Sequence, residues 1–347
     1  MKVLFIVNGY PNKTLPEFCI FTKEQIESVL SLPNITGDII KINVPENGRF
    51  DYIRALAKIK RIYRDYDIVH CFHGYTLILS SMIIRNKPIL VSFLSDNVSN
   101  EFHINNRLLR RLLAKYTYKL LSKKNIYKVI KSRPVQSYEK RSFYLPNGVD
   151  TNLFSSLSKI EAKMFLNLDI NKKYILFVNS RNTKSGGIRK EKRYDIFLKV
   201  IEILKTKYKL DDIDQLLLMG IERKKVPYYF AASELHLLVS DFEGSPNSIK
   251  EALACNIPVV STDVGNVRSM FGDIEGCYIS ETNEPEKIAQ IVAKVLNENK
   301  KYNSRKYIFE KKLSINQKAM ELYTIYCQIM DDYYLIKAKY EESYNAD

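Results

Sequence analysis

Short apolar segments alternate with helical segments along most of the chain, and this alternation constrains the fold more than any other feature. In the first half, the apolar strand-like segments are residues 3–7, 38–44, 67–72 and 88–93. Strands that alternate with helices in this way form a parallel sheet that helices cover on its faces. The first half of the chain is therefore predicted to be a doubly wound α/β domain.

The same alternation begins again in the second half. The apolar segments there are residues 174–179, 216–219, 235–240, 257–261 and 277–279. A chain of 347 residues is too long for one ordinary core, and 46% hydrophobic with 27% charged residues is typical of a folded protein. We predict two domains, residues 1–155 and 156–314, with a linker near residues 150–172. Helical spacing in residues 315–347 predicts terminal helices that pack back on the first domain.

The position of a binding site follows from this architecture. In doubly wound sheets, ligands bind beyond the carboxyl ends of the strands. In the first domain those ends lead into loops at residues 8–16, 72–76 and 94–100. In the second domain they lead into loops at residues 180–192, 220–227 and 241–248. We expect the two sets of loops to face each other across a cleft.

Cysteines and histidines give little indication of a metal site. The five cysteines are scattered and odd in number, and no pair has Cys-x-x-Cys spacing, so neither a disulfide framework nor a zinc site is indicated. His70 and His73 are interpreted as part of a strand end. No apolar run approaches the ~20 residues that span a bilayer, and the first strand is too short for a signal peptide. We expect the protein in the cytoplasm.

Positive charge is concentrated in one segment. The net charge is +15, and between Arg107 and Arg141 twelve lysines and arginines accompany a single acidic residue, Glu139. Leucines recur at helical spacing in the same segment, and a basic amphipathic helix is typical of a membrane-surface or polyanion-binding element. The residues predicted to face an anionic membrane are Arg107, Arg110, Arg111, Lys115, Lys119, Lys123 and Lys124.

Two other interpretations of this segment stay open. The leucines could face the core and leave a solvated basic face, which would explain the leucines but not the one-sided charge. Nucleic acid could bind the charge, but no known motif or stacking aromatic pattern accompanies it, so no specific nucleic acid is predicted as a partner. The charge favours a peripheral position at the inner face of the cell membrane.

The stretch from residue 240 to residue 258 carries the clearest chemistry. A strand ends near Ser240, and a helix is predicted to follow with Ser245 as its N-cap and Pro246 as its first residue. The free amides and the positive dipole end of such a helix can bind a diphosphate. The predicted contacts at this helix start are Ser245, Pro246, Asn247 and Ser248.

Two glutamates flank this helix start. Glu251 lies further along the helix, where its carboxylate could accept hydrogen bonds from ribose hydroxyls. Glu243 lies in the preceding loop, near the position that a transferred sugar would take. The two acids would thus mark opposite ends of one bound nucleotide sugar.

The sequence Glu243-Gly-Ser-Pro-Asn-Ser-Ile-Lys-Glu251, with the Ala-Leu-Ala and Pro-Val-Val that follow, resembles the donor-site signature of glycosyltransferase family four. Residues 145–150, residues 226–234 and the start of the chain around Gly9 are also similar to members of this family. The resemblance covers most of the chain. It implies a GT-B fold, in which two Rossmann-like domains face a cleft, with retention of anomeric configuration, no essential metal and no cofactor.

The resemblance also implies a cationic clamp on the donor diphosphate, which maps to Arg181 and Lys192. The chemistry needs such cations, because negative charge builds on the leaving diphosphate as its bond to the sugar breaks. Together with Glu243, these two are the predicted catalytic residues. Arg181 could instead be a surface charge at a strand end, and Arg189 or Lys190 could serve in place of Lys192.

The first domain departs from the family pattern. Many relatives carry two glycines after the first strand, and here Gly9 alone is left to allow close approach of a donor. Relatives often have a histidine after the fourth strand, where Ser95 and Asp96 stand here. We predict that these two, or His73 at the preceding strand end, contact the sugar or the acceptor, although His73 could equally be a loop residue without a role. Asn266 replaces the second glycine of a Gly-Gly pair.

These observations predict a retaining glycosyltransferase. Its donor would be a UDP-linked sugar, or a GDP-linked one, and its acceptor a lipid-linked or growing saccharide in cell-surface polysaccharide synthesis such as that of O-antigen or capsule. A nucleotide-sugar epimerase of the same fold is one alternative. A non-enzymatic polyanion-binding protein is another.

Overall fold

The computed structural model describes residues 1–93, 98–102, 104, 106–132, 141–179 and 186–344. The chain divides into two compact units. The first comprises Met1–Tyr10, Cys19–Asn147 and Asn316–Asp347, and the second comprises Pro11–Phe18 and Gly148–Ile315. Among the described helices, none combines the length and the apolar character that a bilayer crossing requires.

The first unit contains a parallel sheet. Its strands are β1 Lys2–Asn8, β2 Thr36–Ile42, β3 Ile68–Phe72, β4 Ile89–Ser92, β5 Ile126–Ile130 and β6 Ser142–Tyr144. The helices between these strands are α1 Ile20–Leu30, α2 Val44–Asn47, α3 Asp51–Ile62, α4 Gly74–Ser81 and α5 Arg107–Leu121. The strand order is β2-β1-β3-β4-β5-β6, and every neighbouring pair runs parallel.

The second unit repeats the plan. Its strands are β7 Lys173–Val178, β8 Ile213–Leu218, β9 Ser233–Leu238, β10 Val259–Thr262 and β11 Cys277–Ser280, in the parallel order β11-β10-β9-β7-β8. Its helices are α6 Lys159–Phe165, α7 Tyr194–Thr206, α8 Val226–Ala232, α9 Asn247–Ala254, α10 Val267–Phe271, α11 Pro285–Glu298 and α12 Arg305–Glu310. The last helix, α13 Ile315–Tyr344, belongs almost entirely to the first unit.

Strand β1 shows why the first sheet needs helices on both faces. Successive side chains of a strand point to opposite faces, and the whole run from Val3 to Val7 is fully buried. Leu4 and Ile6 pack with residues of α3, α4 and α5. Val3 and Phe5 pack with residues of α1 and α13 on the other face. The final helix is therefore part of the hydrophobic core of the first unit.

Strand β7 has the same position in the second unit. Leu176 packs in a cluster with α6, α8, α9 and α12. Ile175 and Phe177 point to the opposite face, where α7 and α11 cover the sheet. Helix α9, which carries the predicted site, is thus fixed against the middle of its sheet.

The two ends of residues 148–315 lie side by side. The Val149 N–H donates to the Leu313 carbonyl at 2.9 Å, and the Ile315 N–H donates to the Val149 carbonyl at 2.8 Å. A Cβ on Gly148 would lie 2.6 Å from the Ile315 Cα, closer than real Cβ contacts, so that only glycine fits. The long segment of the second unit therefore begins and ends at neighbouring positions.

The predicted α/β class with two parallel sheets and a helical C-terminal segment is confirmed. Strands β5 and β6, which extend the first sheet beyond β4, were not predicted. Strand β5 carries Lys128 in its middle, and β6 has only three residues, so neither shows a clear apolar pattern. The predicted linker contains α6, a short helix whose Ala162 packs into the core of the second unit.

Candidate functional site

The loop from β9 to α9 leads into the start of the predicted site helix. The structure places the N-cap of α9 at Pro246, with φ −66° and ψ 117°, and the first helical residue is Asn247. The prediction of Ser245 as N-cap and Pro246 as first residue is therefore wrong by one position. The proline ring fixes φ at a value that a helix accepts, but the extended ψ keeps this residue outside the helix.

The N-terminus of α9 carries concentrated positive potential. Its first backbone amides have no carbonyl partner within the helix, and the helix dipole adds partial positive charge there. The Lys250 ammonium, which is fully buried, donates to Asn247 Oδ1 at 3.0 Å. A fixed cation thus lies beneath the first turn. This arrangement suits an anionic group such as a diphosphate.

A buried histidine fixes the predicted contact Ser248. Burial lowers the pKa of His236 to about 4, and the charge of Lys192 lowers it as well, so the imidazole is neutral. Its Nδ1 lies 3.1 Å from the Leu176 carbonyl, which can only accept, so Nδ1 carries the proton. Nε2 then accepts from the Ser248 hydroxyl at 3.0 Å. The hydroxyl of Ser248 is turned inward, and its predicted contact with a diphosphate rests on its backbone N–H.

The structure brings Glu243 and Lys192 together. Lys192 Nζ lies 2.5 Å from Glu243 Oε1, and the two side chains are only 15% and 17% exposed. The Ser240 hydroxyl donates to the same carboxylate oxygen at 2.8 Å. Two predicted catalytic residues, 51 positions apart in the chain, therefore form one polar pair in the second unit.

Backbone contacts hold the loop that carries Glu243. The Asp241 N–H donates to the Glu191 carbonyl at 2.8 Å, which ties this loop to the turn that carries Lys192. Gly265, with φ +57°, packs so closely that a Cβ there would lie 2.5 Å from the Glu243 carbonyl oxygen. Only glycine allows this contact without strain.

Glu251 is paired at the other end of the site. Arg223 Nη1 lies 2.8 Å from Glu251 Oε1, and the side chains are 20% and 10% exposed. The Arg223 guanidinium also lies 4.6 Å from the centroid of the Phe154 ring. The pair fixes the orientation of the carboxylate. Arg223 was not among the predicted site residues, although the basic run 223–225 in a predicted site loop gave a signal for it.

Comparison with known proteins identifies the second unit. Residues 212–312 match the family described as glycosyl transferases group 1. This part of the second unit therefore resembles a group 1 glycosyltransferase domain. It includes both glutamates of the candidate site, Arg223 and the whole of α9.

Three curated proteins that are similar to this chain are named as glycosyltransferases. A putative teichuronic acid biosynthesis glycosyltransferase of Bacillus subtilis is 44% identical over 52 residues, which are 15% of this chain and 13% of that protein. An uncharacterized glycosyltransferase of Methanocaldococcus jannaschii is 22% identical over 331 residues, or 85% and 87% of the two chains. The third, from Campylobacter jejuni, is named an N-acetylgalactosamine-N,N'-diacetylbacillosaminyl-diphospho-undecaprenol 4-alpha-N-acetylgalactosaminyltransferase. It is 28% identical over 182 residues, which are 46% of each chain.

Solved structures agree on the fold. A sucrose-phosphate synthase from Thermosynechococcus elongatus aligns with a TM-score of 0.71 at 14% identity, covering 95% of this chain and all of that one. The Anabaena protein Alr3699/HepE in complex with UDP aligns with a TM-score of 0.67 at 16% identity, covering 94% and 100%. The predicted GT-B fold, with its two Rossmann-like units, is confirmed.

Several predicted site residues are not part of the polar cluster around α9. Arg181, Ser95 and Asp96 lie outside the described residues. Gly9 lies in the first unit with φ +113°, and its N–H donates to the Ile42 carbonyl at 2.9 Å. The Gly9 amide is therefore already engaged within the first unit.

His73 stands at the end of β3 with an unusual backbone. Its φ of 94° lies in a region that few residues other than glycine adopt, and such strain is concentrated at functional sites. Its Nδ1 accepts from the Tyr75 N–H at 3.2 Å, which caps α4, and its ring stacks on that of Tyr75 at 5.1 Å. Nε2 lies 3.8 Å from the fully buried carboxylate of Glu101. His73 is thus a fixed residue at the carboxyl edge of the first sheet.

The leucines of α5 divide between two faces. Leu120 is buried, and Leu113 and Leu121 pack against the core of the first unit. Leu108 and Leu112 are instead 67% and 55% exposed. The interpretation of one core-facing leucine stripe is therefore wrong for the outer set. Among the predicted membrane-facing residues, Arg110 is half-buried. The other six are exposed, and they are Arg107, Arg111, Lys115, Lys119, Lys123 and Lys124.

Proposed function

We propose that this glycosyltransferase transfers a sugar, with retention of anomeric configuration, from a nucleotide donor to a lipid-linked or growing saccharide. The observation that carries the proposal is the arrangement around α9. In the chain, the N-terminus of α9 lies between Glu243, which pairs with Lys192, and Glu251, which pairs with Arg223. This order suits a sugar, a diphosphate and a ribose in sequence.

The proposed chemistry uses the positive groups for the leaving diphosphate. As the bond from the anomeric carbon to the phosphate oxygen breaks, charge develops on that oxygen. The amides of α9, Lys192 and the predicted Arg181 would stabilise this charge in place. The leaving oxygen then takes the proton of the acceptor hydroxyl as the new glycosidic bond forms on the same face of the sugar. This route needs neither a metal ion nor a separate base.

Glu243 has an orienting role in this proposal. Its carboxylate already accepts from Lys192 and Ser240, so it is held in a fixed position. A fixed carboxylate suits hydrogen bonds from sugar hydroxyls. We assign it to the transferred sugar rather than to nucleophilic attack, which would need a carboxylate on the opposite face of the ring.

UDP is the nucleotide that the comparisons favour. The Anabaena protein has been crystallised with UDP and with UDP-glucose, and it shares the fold over nearly the whole chain. A GDP-linked donor is the alternative.

The proposed acceptor is lipid-linked, and the proposed position is the inner face of the cell membrane. The name of the Campylobacter relative describes transfer to a saccharide on diphospho-undecaprenol. In this chain, exposed leucines and basic residues share the outer side of α5. Such a surface suits anionic headgroups and the lipid below them.

A thermal-shift panel of UDP, GDP, ADP and their common sugar conjugates tests the donor. A ligand at ~100 times its Kd stabilises the folded state by about 2.7 kcal/mol, which is easily measured. We expect a response to UDP and its conjugates in the wild type and a much weaker one in Glu251→Ala. No response across the panel would contradict the proposal.

Turnover assays separate the alternatives. Interconversion of UDP-sugars without any acceptor would indicate an epimerase. Salt-dependent nucleic-acid binding that survives loss of Glu243 and Glu251 would indicate a polyanion-binding protein.

A further inference from the structure

Asn266 contacts the loop that carries Glu243, and α10 begins directly after it. It is the N-cap residue of α10, and an asparagine in that position usually accepts a hydrogen bond from the first turn of its helix. Within the described part of the chain, its side chain makes no such bond. The Asn266 side chain therefore does not cap α10.

The side-chain oxygen of Asn266 has no hydrogen-bond partner among the residues that the structure describes. The residue is only 4% exposed, and its Oδ1 is fully shielded from solvent. Its Nδ2 faces the sulfur of Met270 at 3.8 Å, which orients the amide. Buried polar atoms without partners are rare, and those that occur often mark a functional site.

The position of this oxygen connects it to the proposed sugar. The Asn266 N–H donates to the Gly244 carbonyl at 3.1 Å, and the neighbouring Gly265 packs on the backbone of Glu243. Ser245, the next residue of the same loop, has a second shielded oxygen, Oγ, that lacks a partner among the described residues. Two unpaired oxygens thus flank Gly244.

We propose that the Asn266 side chain turns toward the donor when the donor binds, and that its Oδ1 then accepts a hydrogen bond from the transferred sugar and helps to select that sugar. This inference rests on the proposed function. A carbonyl oxygen only accepts, so its partner must carry a proton. Sugar hydroxyls and acetamido N–H groups carry one, whereas phosphate oxygens at neutral pH have none to offer. The ribose is excluded as the partner of Asn266 Oδ1, because the proposed function places the ribose at Glu251.

Ser245 Oγ has the complementary chemistry. A hydroxyl can donate, and it lies immediately before the N-terminus of α9, so it suits the diphosphate. The two oxygens thus serve neighbouring parts of one donor. Substitution of Asn266 should affect sugar recognition, and substitution of Ser245 should affect every nucleotide diphosphate.

The test compares Asn266→Ala with the wild type by calorimetric titration. The probes are UDP and GDP without a sugar, and UDP-glucose, UDP-galactose, their N-acetylamino counterparts and GDP-mannose. We expect the best-bound nucleotide sugar to bind about tenfold more weakly, as for loss of one hydrogen bond, with the free nucleotide unchanged. The differences in affinity among the nucleotide sugars should also become smaller in Asn266→Ala. The melting temperature should stay the same or rise, because no protein contact of Oδ1 is lost.

Two further variants make the result specific. Asn266→Asp keeps an accepting oxygen, so its ratio of sugar-nucleotide to nucleotide affinity should exceed that of Asn266→Ala, even if its charge weakens both. Asn256→Ala is the matched control at the other end of α9. Both ends of the Asn256 side-chain amide form hydrogen bonds. Nδ2 donates to Ser156 Oγ at 2.7 Å, and Oδ1 accepts from the backbone N–H of Arg305 at 2.8 Å. This control should lower the melting temperature and leave the ratio unchanged.

The outcomes separate the two proposals. If the wild type binds no nucleotide or nucleotide sugar, the proposed function fails. If the wild type binds nucleotide sugars and Asn266→Ala binds them equally well, or loses UDP and its conjugates in equal measure, the role of Asn266 is overturned while the proposed function stands.

Discussion

Helices α9 and α5 reverse the usual relation between polarity and burial, each in its own way. In α9, Lys250 and Glu251 are buried although they are charged. In α5, Leu108 and Leu112 are exposed although they are apolar. Buried charges persist where they are paired, and exposed apolar patches often mark a surface that meets a partner. The comparison suggests that α9 is built around a polar ligand and α5 around an external apolar one.

The two helices should therefore respond differently to substitution. Polar residues around α9 hold one another through short contacts, such as Glu251 with Arg223 and Lys250 with Asn247. Changes there should alter chemistry or stability. The outer residues of α5 face solvent, so changes there should alter membrane binding and leave stability and turnover unchanged.

The largest effect is expected at Lys192. Replacement by alanine removes a cation from the proposed leaving group and leaves Glu243 without its charged partner, with the Ser240 hydroxyl as its remaining donor. The loss of one such stabilising group typically costs 100- to 1,000-fold in kcat, or about 2.7–4 kcal/mol. Initial rates with a nucleotide sugar and an acceptor would measure this. Lys190→Ala, an exposed lysine of the same turn, is the control, and an equal loss in both variants would contradict the assignment.

A large loss of stability is expected for Arg305→Ala. Its guanidinium donates to the carbonyls of Thr151, Phe154 and Ala254, the last of which ends α9. Removing a charged donor from several carbonyls should lower the free energy of unfolding by about 3 kcal/mol, as measured in urea. Lys306→Ala, at an exposed neighbouring position, should be nearly neutral. Similar denaturation midpoints for both variants would show that Arg305 does not anchor α9.

Acid should weaken the second unit through His236. Its pKa is near 6.5 in the unfolded chain and about 4 in the folded protein. Between these values the unfolded chain binds a proton that the folded protein does not, so stability falls as pH drops from 6.5 to 4. The loss should reach roughly 3 kcal/mol.

Urea unfolding at pH 7, 5.5 and 4 measures this dependence. His236→Gln should show a smaller slope with pH than the wild type. Some slope should remain, because burial also lowers the pKa of His70. An unchanged slope would mean that His236 does not titrate as proposed.

The smallest effect on the protein itself is expected in α5. Leu108→Ser with Leu112→Ser should weaken binding to vesicles of anionic lipid by tenfold or more, because two apolar side chains lose their insertion energy. The melting temperature should hardly change. The control pair Leu157→Ser and Ile160→Ser removes exposed apolar residues of the second unit and should leave vesicle binding intact. Equal vesicle binding by all variants would remove the argument for a membrane face.

Much of the fold could be predicted because buried strands carry an apolar signal. Strands β1, β3 and β7 are fully apolar runs or nearly so, and the sequence analysis found each of them. Strands β5 and β6 were missed because burial of Lys128 and the shortness of β6 depend on neighbours that the sequence does not show.

The site could be predicted in part. The motif from Glu243 to Glu251 indicated the helix and its acids, and the structure adds Lys192 as a direct partner of Glu243. Arg223 was missed because its pairing with Glu251 depends on tertiary contact. The one-residue error at Ser245 arose because a proline can end a loop as readily as it can begin a helix.

The bridge between Val149 and Ser314 has a consequence for how such proteins can diversify. A segment whose two ends are neighbours can be exchanged for another of different length and sequence without rerouting the host chain, as in domain insertion. Residues 148–315 form such a segment, and they include the motif from Glu243 to Glu251. Under the proposed function, recombination at these two adjacent points would transfer that motif, and the donor preference we propose for it, to a different first unit in a single event.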